Sequence, residues 1–344
     1  MTDLAQESKL EIREAPTRAL EILKNVGPGM ILAGSIVGSG ELIATTRTGA
    51  EAHFDFLWLI ILGCIIKVFA QIELGRYAIT NGKTTLAALN EVPGPVLRMA
   101  VGNRMIRANW IIWYWCLMFF SILGQQGGIV GGVGQAMAIS IPITDEGKAY
   151  NEYVAQKITL DVSRAELANL ARNAPASEKE ALDEKIAHLH VQLKKIGDIP
   201  KAKDDVYWSL ILTLAAIFLL VWGKFTFIER FSVFLVAAFT LITIANLFAL
   251  QSYDKWAVTM VELKRGLSFG FPEGNQALVT ALATFGIIGV GASELLAYPY
   301  WCLEKGYGKY VGKKDDSEGW IRRAKGWMKV MHWDSWGAML VYTF

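Results

Sequence analysis

The sequence predicts an all-α, polytopic membrane protein, and three observations lead there. Apolar residues make up 53% of the 344 residues and charged ones only 19%, with a mean hydropathy of +0.32, which is more apolar than a soluble domain allows. Six apolar runs reach the roughly 20 residues that a helix needs to cross a bilayer. Lysines and arginines gather in alternate connections between those runs, as they do when cytoplasmic loops hold the positive charge.

Taken in chain order, residues 1–25 are polar and charged with no apolar stretch of a signal peptide, and are expected to form a cytoplasmic segment. Residues 26–142 hold spans 1 to 3 at about 26–46, 56–79 and 109–141. Residues 143–205 are highly charged with both signs interleaved, contain Pro175 and Pro200, and space Leu167, Leu170, Leu182, Ile186, Leu189 and Leu193 as one helical stripe on each of two helices. They read as an extramembrane helical hairpin, either a partner-binding element or a plain solvated insertion. His188 and His190 within it point to different sides of a helix, which argues against a metal pair. Residues 206–301 hold spans 4 to 6 at about 206–223, 231–250 and 276–301. A basic cytoplasmic loop over 302–335 is expected next, and Trp336 to Phe344 reads as the start of span 7, so the chain is expected to be a piece of a longer protein.

Charge sets the orientation. The 2–3 connection carries Lys83, Arg98, Arg104 and Arg107, the 4–5 connection Lys224 and Arg230, and the stretch after span 6 eight further basic residues from Lys305 to Lys329, whereas the 1–2 loop has none. The N-terminus is therefore expected in the cytoplasm of a plasma or inner membrane. A net charge of +2 is too small to suggest nucleic acid as a partner, and the apolar composition points to the lipid bilayer. Cys64, Cys116 and Cys302 lie in or beside apolar segments and read as small core residues.

The informative signal is internal. Val37-Gly-Ser-Gly-Glu-Leu-Ile-Ala44 in span 1 and Val290-Gly-Ala-Ser-Glu-Leu-Leu-Ala297 in span 6 agree at five of eight positions. Glycine in a helix interior costs up to about 1 kcal/mol relative to alanine, so both spans are expected to break there. Paired breaks in two halves of a membrane protein point to a transporter site at the repeat interface. Small residues that merely let helices pack closely are the simpler account, but it leaves Glu41 and Glu294 unexplained, since an ionised group at mid-span costs about 3 kcal/mol. Lys67, deep in span 2, needs an anionic partner. Glu41 across the bundle is the favoured candidate, with Glu73 poorly placed on the same helix.

Spans 1, 2 and 6 resemble those of the Nramp (natural resistance-associated macrophage protein) divalent metal transporters. The resemblance rests on Gly27-Pro-Gly29 and Thr48-Gly-Ala50 around span 1, on FLWLIILGCIIKVFAQIELGRYAITNGKTT in span 2, and on Gly286-Ile-Ile-Gly289 in span 6. It implies a LeuT-type inverted repeat with spans 1 and 6 unwound at the metal, and no catalytic activity. The family's Asp-Pro-Gly-Asn stands here as Gly38-Ser39-Gly40-Glu41, its Met-Pro-His as Ser293-Glu294-Leu295, and its acidic pair in span 3 has no counterpart. The ion site is thus expected at Gly38, Ser39, Glu41, Val290, Ser293 and Glu294, with Glu41 and Glu294 as metal ligands, Lys67 as charge partner and no resident cofactor. Oxygen-only donors favour Mg²⁺ or Mn²⁺ over soft transition metals. The alternative is an organic solute such as an amino acid, whose carboxylate would sit on backbone amides at the Gly38-Ser39-Gly40 break while a glutamate bound its amine.

Overall fold

A computed structural model describes residues 12–102, 104–169, 176–196, 201–253, 256–272 and 275–343. Leu170, Pro175 and Pro200, together with the side chains of Ser39 and Leu193, lie outside the described residues. The chain divides into two compact units, one of residues 1–125 and 222–344, the other of residues 126–221.

In the first unit the chain opens with α1 (Ala19–Asn25), then α2 (Pro28–Ile36), which starts at a proline whose missing N–H costs nothing in a first turn. Where the sequence leads one to expect a break in span 1, α2 stops and α3 (Ser39–Ala52) starts, with Val37 and Gly38 between them. The uninterrupted helix α4 (Leu57–Asn81) ends at Gly82 in the left-handed region, and α5 (Thr85–Leu89) follows, capped by the Thr84 hydroxyl. The all-α expectation needs one correction here: β1 (Val96–Val101) and β2 (Arg104–Asn109) form an antiparallel hairpin, pairing Val101 with Arg104 across a turn in which Gly102 has φ +59°. α6 (Trp110–Ser140) begins in this unit and ends in the other.

The second unit contains the end of α6, α7 (Asp145–Asn169), α8 (Ala176–Ile196) and α9 (Asp204–Trp222). α7 and α8 pack on each other, with Leu160 and Ser163 of α7 and Leu189 of α8 buried and Leu167, Leu182 and Ile186 half-buried. The two helices share their compact unit with the end of α6 and with α9. Asp204 pins it: its carboxylate accepts the amides of Ile143 (2.6 Å) and Thr144 (3.0 Å) and the Thr144 hydroxyl (2.5 Å). The imidazole of His190 meets Arg164 at 2.6 Å.

The first unit resumes with α10 (Phe225–Leu250), whose Phe234, Leu241 and Phe248 are exposed. Next come α11 (Met260–Gly266), α12 (Asn275–Ile287), α13 (Ala292–Lys305), α14 (Tyr307–Val311) and α15 (Glu318–Thr343). Among the described residues, five stretches are long and apolar enough to cross a membrane: Leu57–Asn81, Trp110–Ser140, Asp204–Trp222, Phe225–Leu250 and Ala277–Lys305. Span 1, divided by its break into pieces of 9 and 14 residues, is not among them. The protein is thus a mainly helical membrane protein.

The expected 302–335 loop is also corrected. α15 begins at Glu318, 18 residues before Trp336, and lies along α4 and α2. Trp320, Ala324, Trp327, Met331, Asp334, Ser335 and Ala338 recur at helical spacing on its buried face, whereas Arg322, Lys325 and Lys329 fall between them. Trp327 is wholly buried and stacks on Tyr307 with ring centroids 5.4 Å apart. Losing such a side chain costs on the order of 3–5 kcal/mol.

Candidate functional site

The breaks in the first and sixth apolar segments are built alike. Gly38 precedes the first turn of α3 and Gly291 that of α13, each in the extended conformation of a helix N-cap. Counting from those caps, Glu41 and Glu294 both occupy the third helical position. A glutamate there is placed to reach back toward the cap. Glu294 does so, close enough that a Cβ on Gly291 would lie 2.5 Å from its Oε2. The repeat seen in the sequence is therefore a repeated helix start, a glycine cap with a glutamate at the third helical position.

The structure brings the two glutamates and Lys67 together, each facing the others' charge. Their pairing differs from the expected one. Lys67 donates not to Glu41 but to the carbonyls of Ile288 (2.5 Å) and Gly286 (3.3 Å), with the Phe285 ring 5.6 Å from its Nζ. The end of α12 leaves its last carbonyls without helical donors and carries the negative end of the helix dipole, so an ammonium is held there without a carboxylate. Glu73, the other candidate partner, pairs with Arg76 instead. Gly289 makes this geometry possible: its φ of +66° turns the chain between α12 and α13, and a Cβ would meet the Cys64 Sγ at 3.1 Å.

The other expected site residues divide. The Ser293 hydroxyl donates to the Glu294 carboxylate at 2.8 Å, so it belongs to the acidic group. Val290 is 1% exposed and its side chain packs in the hydrophobic core, which leaves only its backbone for a ligand. Gly38 also donates its N–H to the Ile36 carbonyl at 2.7 Å. Among the described residues no group of three or more His, Cys, Asp or Glu side chains is placed to hold a metal ion. Two carboxylates, a serine and backbone carbonyls are the donors that remain.

Two polar groupings beside the breaks were not expected. From the break toward the α3–α4 connection, a cavity of about 240 Å³ runs between α3 and α12, lined by Arg47, Thr48, Glu51, Thr280 and Thr284. Thr48 and Thr284 share a hydrogen bond of 2.6 Å, and Thr280 donates to Glu51, which also pairs with Arg47 at 2.7 Å. Glu41, Thr48 and Glu51 are spaced as one face of α3, and that spacing was the available signal. At the other end, the amides of Gly27 and Gly29 donate to Asp334 at 2.7 and 2.6 Å, as does the Tyr298 hydroxyl at 2.9 Å. Ser335 donates to Tyr298 (2.9 Å) and Gln71 to Ser335 (3.3 Å), and Lys305 pairs with Glu229 beside Gly27. The signal here was Gln71 and Asp334 within helical apolar patterns. Searches of protein-family models, of curated proteins and of solved structures find no match to this chain.

Proposed function

We propose that this protein is a secondary transporter that moves a divalent metal cation through a site at the two breaks. The observation that carries the reading is the pair of carboxylates in the first turns of α3 and α13, with Lys67 drawn aside onto carbonyls. Two acidic groups without the ammonium between them, a hydroxyl and carbonyls make an oxygen-only donor set, which suits Mg²⁺ or Mn²⁺ better than Cd²⁺. The organic-solute alternative needs free amides at the α3 N-terminus to hold a substrate carboxylate. The Gly38 amide already donates to the Ile36 carbonyl at 2.7 Å, and this favours the cation.

The paired breaks also support a LeuT-type inverted repeat, and the basic connections support a cytoplasmic N-terminus. Calorimetry with Mg²⁺, Mn²⁺ and Cd²⁺ on the purified protein, on Glu41→Gln and on Glu294→Gln tests the site. The expected result is Mn²⁺ and Mg²⁺ binding that falls at least about tenfold in either variant, equal to about 1.4 kcal/mol. Tighter binding of Cd²⁺ than of Mn²⁺, or unchanged affinity in both variants, would overturn the reading. Cysteines placed near Lys313 and in the 143–205 segment should label from opposite sides of the membrane.

A further inference from the structure

The seat of Lys67 has the form of a monovalent-cation site. It lies at the C-terminal end of a broken helix, where two carbonyl oxygens, those of Ile288 and Gly286, converge on one point. The Phe285 ring presents its face to the same point, and Glu41 and Glu294 add negative charge nearby. Carbonyls at unwound half-helix ends are the groups that coordinate Na⁺ in transporters with discontinuous helices. An ammonium carries the same charge and satisfies the same oxygens.

We propose that Lys67 is a tethered substitute for a coupling cation, its ammonium filling the carbonyl seat at the end of α12 that a free Na⁺ would otherwise take, so that cargo binding at the breaks needs no Na⁺. This rests on the reading of the breaks as an ion site. Lys67 is thereby a positioning residue. It holds the carbonyls of the α12 end in place and leaves the carboxylates to the cargo. Truncating it to alanine empties the seat and opens room along the lysine stem, into which Na⁺ or propylammonium fits and choline does not.

The test uses the whole chain in detergent and has two readouts. The first is thermal stability in NaCl, propylammonium chloride or choline chloride at equal ionic strength, a measurement in which no divalent cation takes part. Wild type is expected to melt at one temperature in all three salts, and Lys67→Ala to melt lower in choline and to regain stability in Na⁺ and propylammonium. The second is Mn²⁺ affinity in the same salts. It should be independent of salt in wild type, and in Lys67→Ala about tenfold weaker in choline than in NaCl, the effect of one charge-assisted hydrogen bond. If the alanine variant does not fold, Lys67→Met, which keeps the stem and removes the charge, carries the test and should melt below wild type in every salt. Wild type that requires Na⁺ for stability or for Mn²⁺ binding overturns the proposal. So does an alanine variant that responds to these salts no more than wild type, or a methionine variant as stable as wild type. If no form binds Mn²⁺, the divalent reading fails, while the melting series still decides whether Lys67 occupies a cation seat.

Discussion

Replacing Asp334 with asparagine removes a charge and one acceptor oxygen from a buried cluster while hardly changing its volume. In the native protein one carboxylate oxygen accepts the Gly27 amide and the other accepts both the Gly29 amide and the Tyr298 hydroxyl. An asparagine has one acceptor oxygen, so in either orientation its NH₂ faces at least one backbone donor. A hydrogen bond to a charged group is worth about 1.5–3 kcal/mol. With one lost and two weakened, the cost should be about 2–4 kcal/mol. Tyr298→Phe, which deletes a hydroxyl that donates to this carboxylate and accepts from Ser335, should cost about 1.5–3 kcal/mol. The two should not add, because after Asp334→Asn the tyrosine has lost its charged acceptor, and a coupling of about 0.5–3 kcal/mol is expected for groups in one network. Thermal unfolding in detergent, followed by tryptophan fluorescence, measures all four forms of this cycle. An Asp334→Asn protein within about 0.5 kcal/mol of wild type, the range of an inconsequential surface change, would refute the argument that this carboxylate holds the start of α2. Strict additivity with Tyr298→Phe would refute the network.

Three further outcomes are expected. Asp204→Ala leaves the Ile143 and Thr144 amides without their acceptor, so hydrogen exchange at these two positions should speed up by at least about tenfold, equivalent to 1.4 kcal/mol. Gly289→Val forces a β-branched residue into φ +66° against Cys64 and should lower stability by about 1–3 kcal/mol on unfolding. Hydrogen bonds from the Thr259 amide and hydroxyl hold the Glu262 carboxyl below its ordinary value of 4.5. The stabilisation it gives α11 is therefore present above that value and is lost as the pH falls through the lowered one, which exchange protection of residues 260–266 across an acid titration would show.

The breaks were legible because they depend on local composition: Gly38, Gly40, Gly289 and Gly291 lower helix propensity wherever they stand. The donors around them were legible only in part. Glu41 and Glu294 are visible as misplaced charges, but the partner of Lys67 is backbone, and backbone carbonyls carry no sequence signature. α15 was hidden by its own composition. Between residues 320 and 329 basic side chains are dense enough to suggest a loop, and only the spacing of Trp320, Ala324, Trp327 and Met331 shows that they share a helix with a buried face. The β1–β2 hairpin had a signal that the search for long apolar runs passes over, the dipeptide Gly102-Asn103 between two short alternating stretches.

The shared helix start at Gly38 and Gly291 has a consequence for how such a site can change over time. The third position of each break carries a side chain of a length that glutamine matches as well as glutamate. The geometry of the breaks and the charge between them are therefore separable. On the proposed function, a single nucleotide change at codon 41 or 294 would change the charge offered to the cargo while leaving the two helix starts intact.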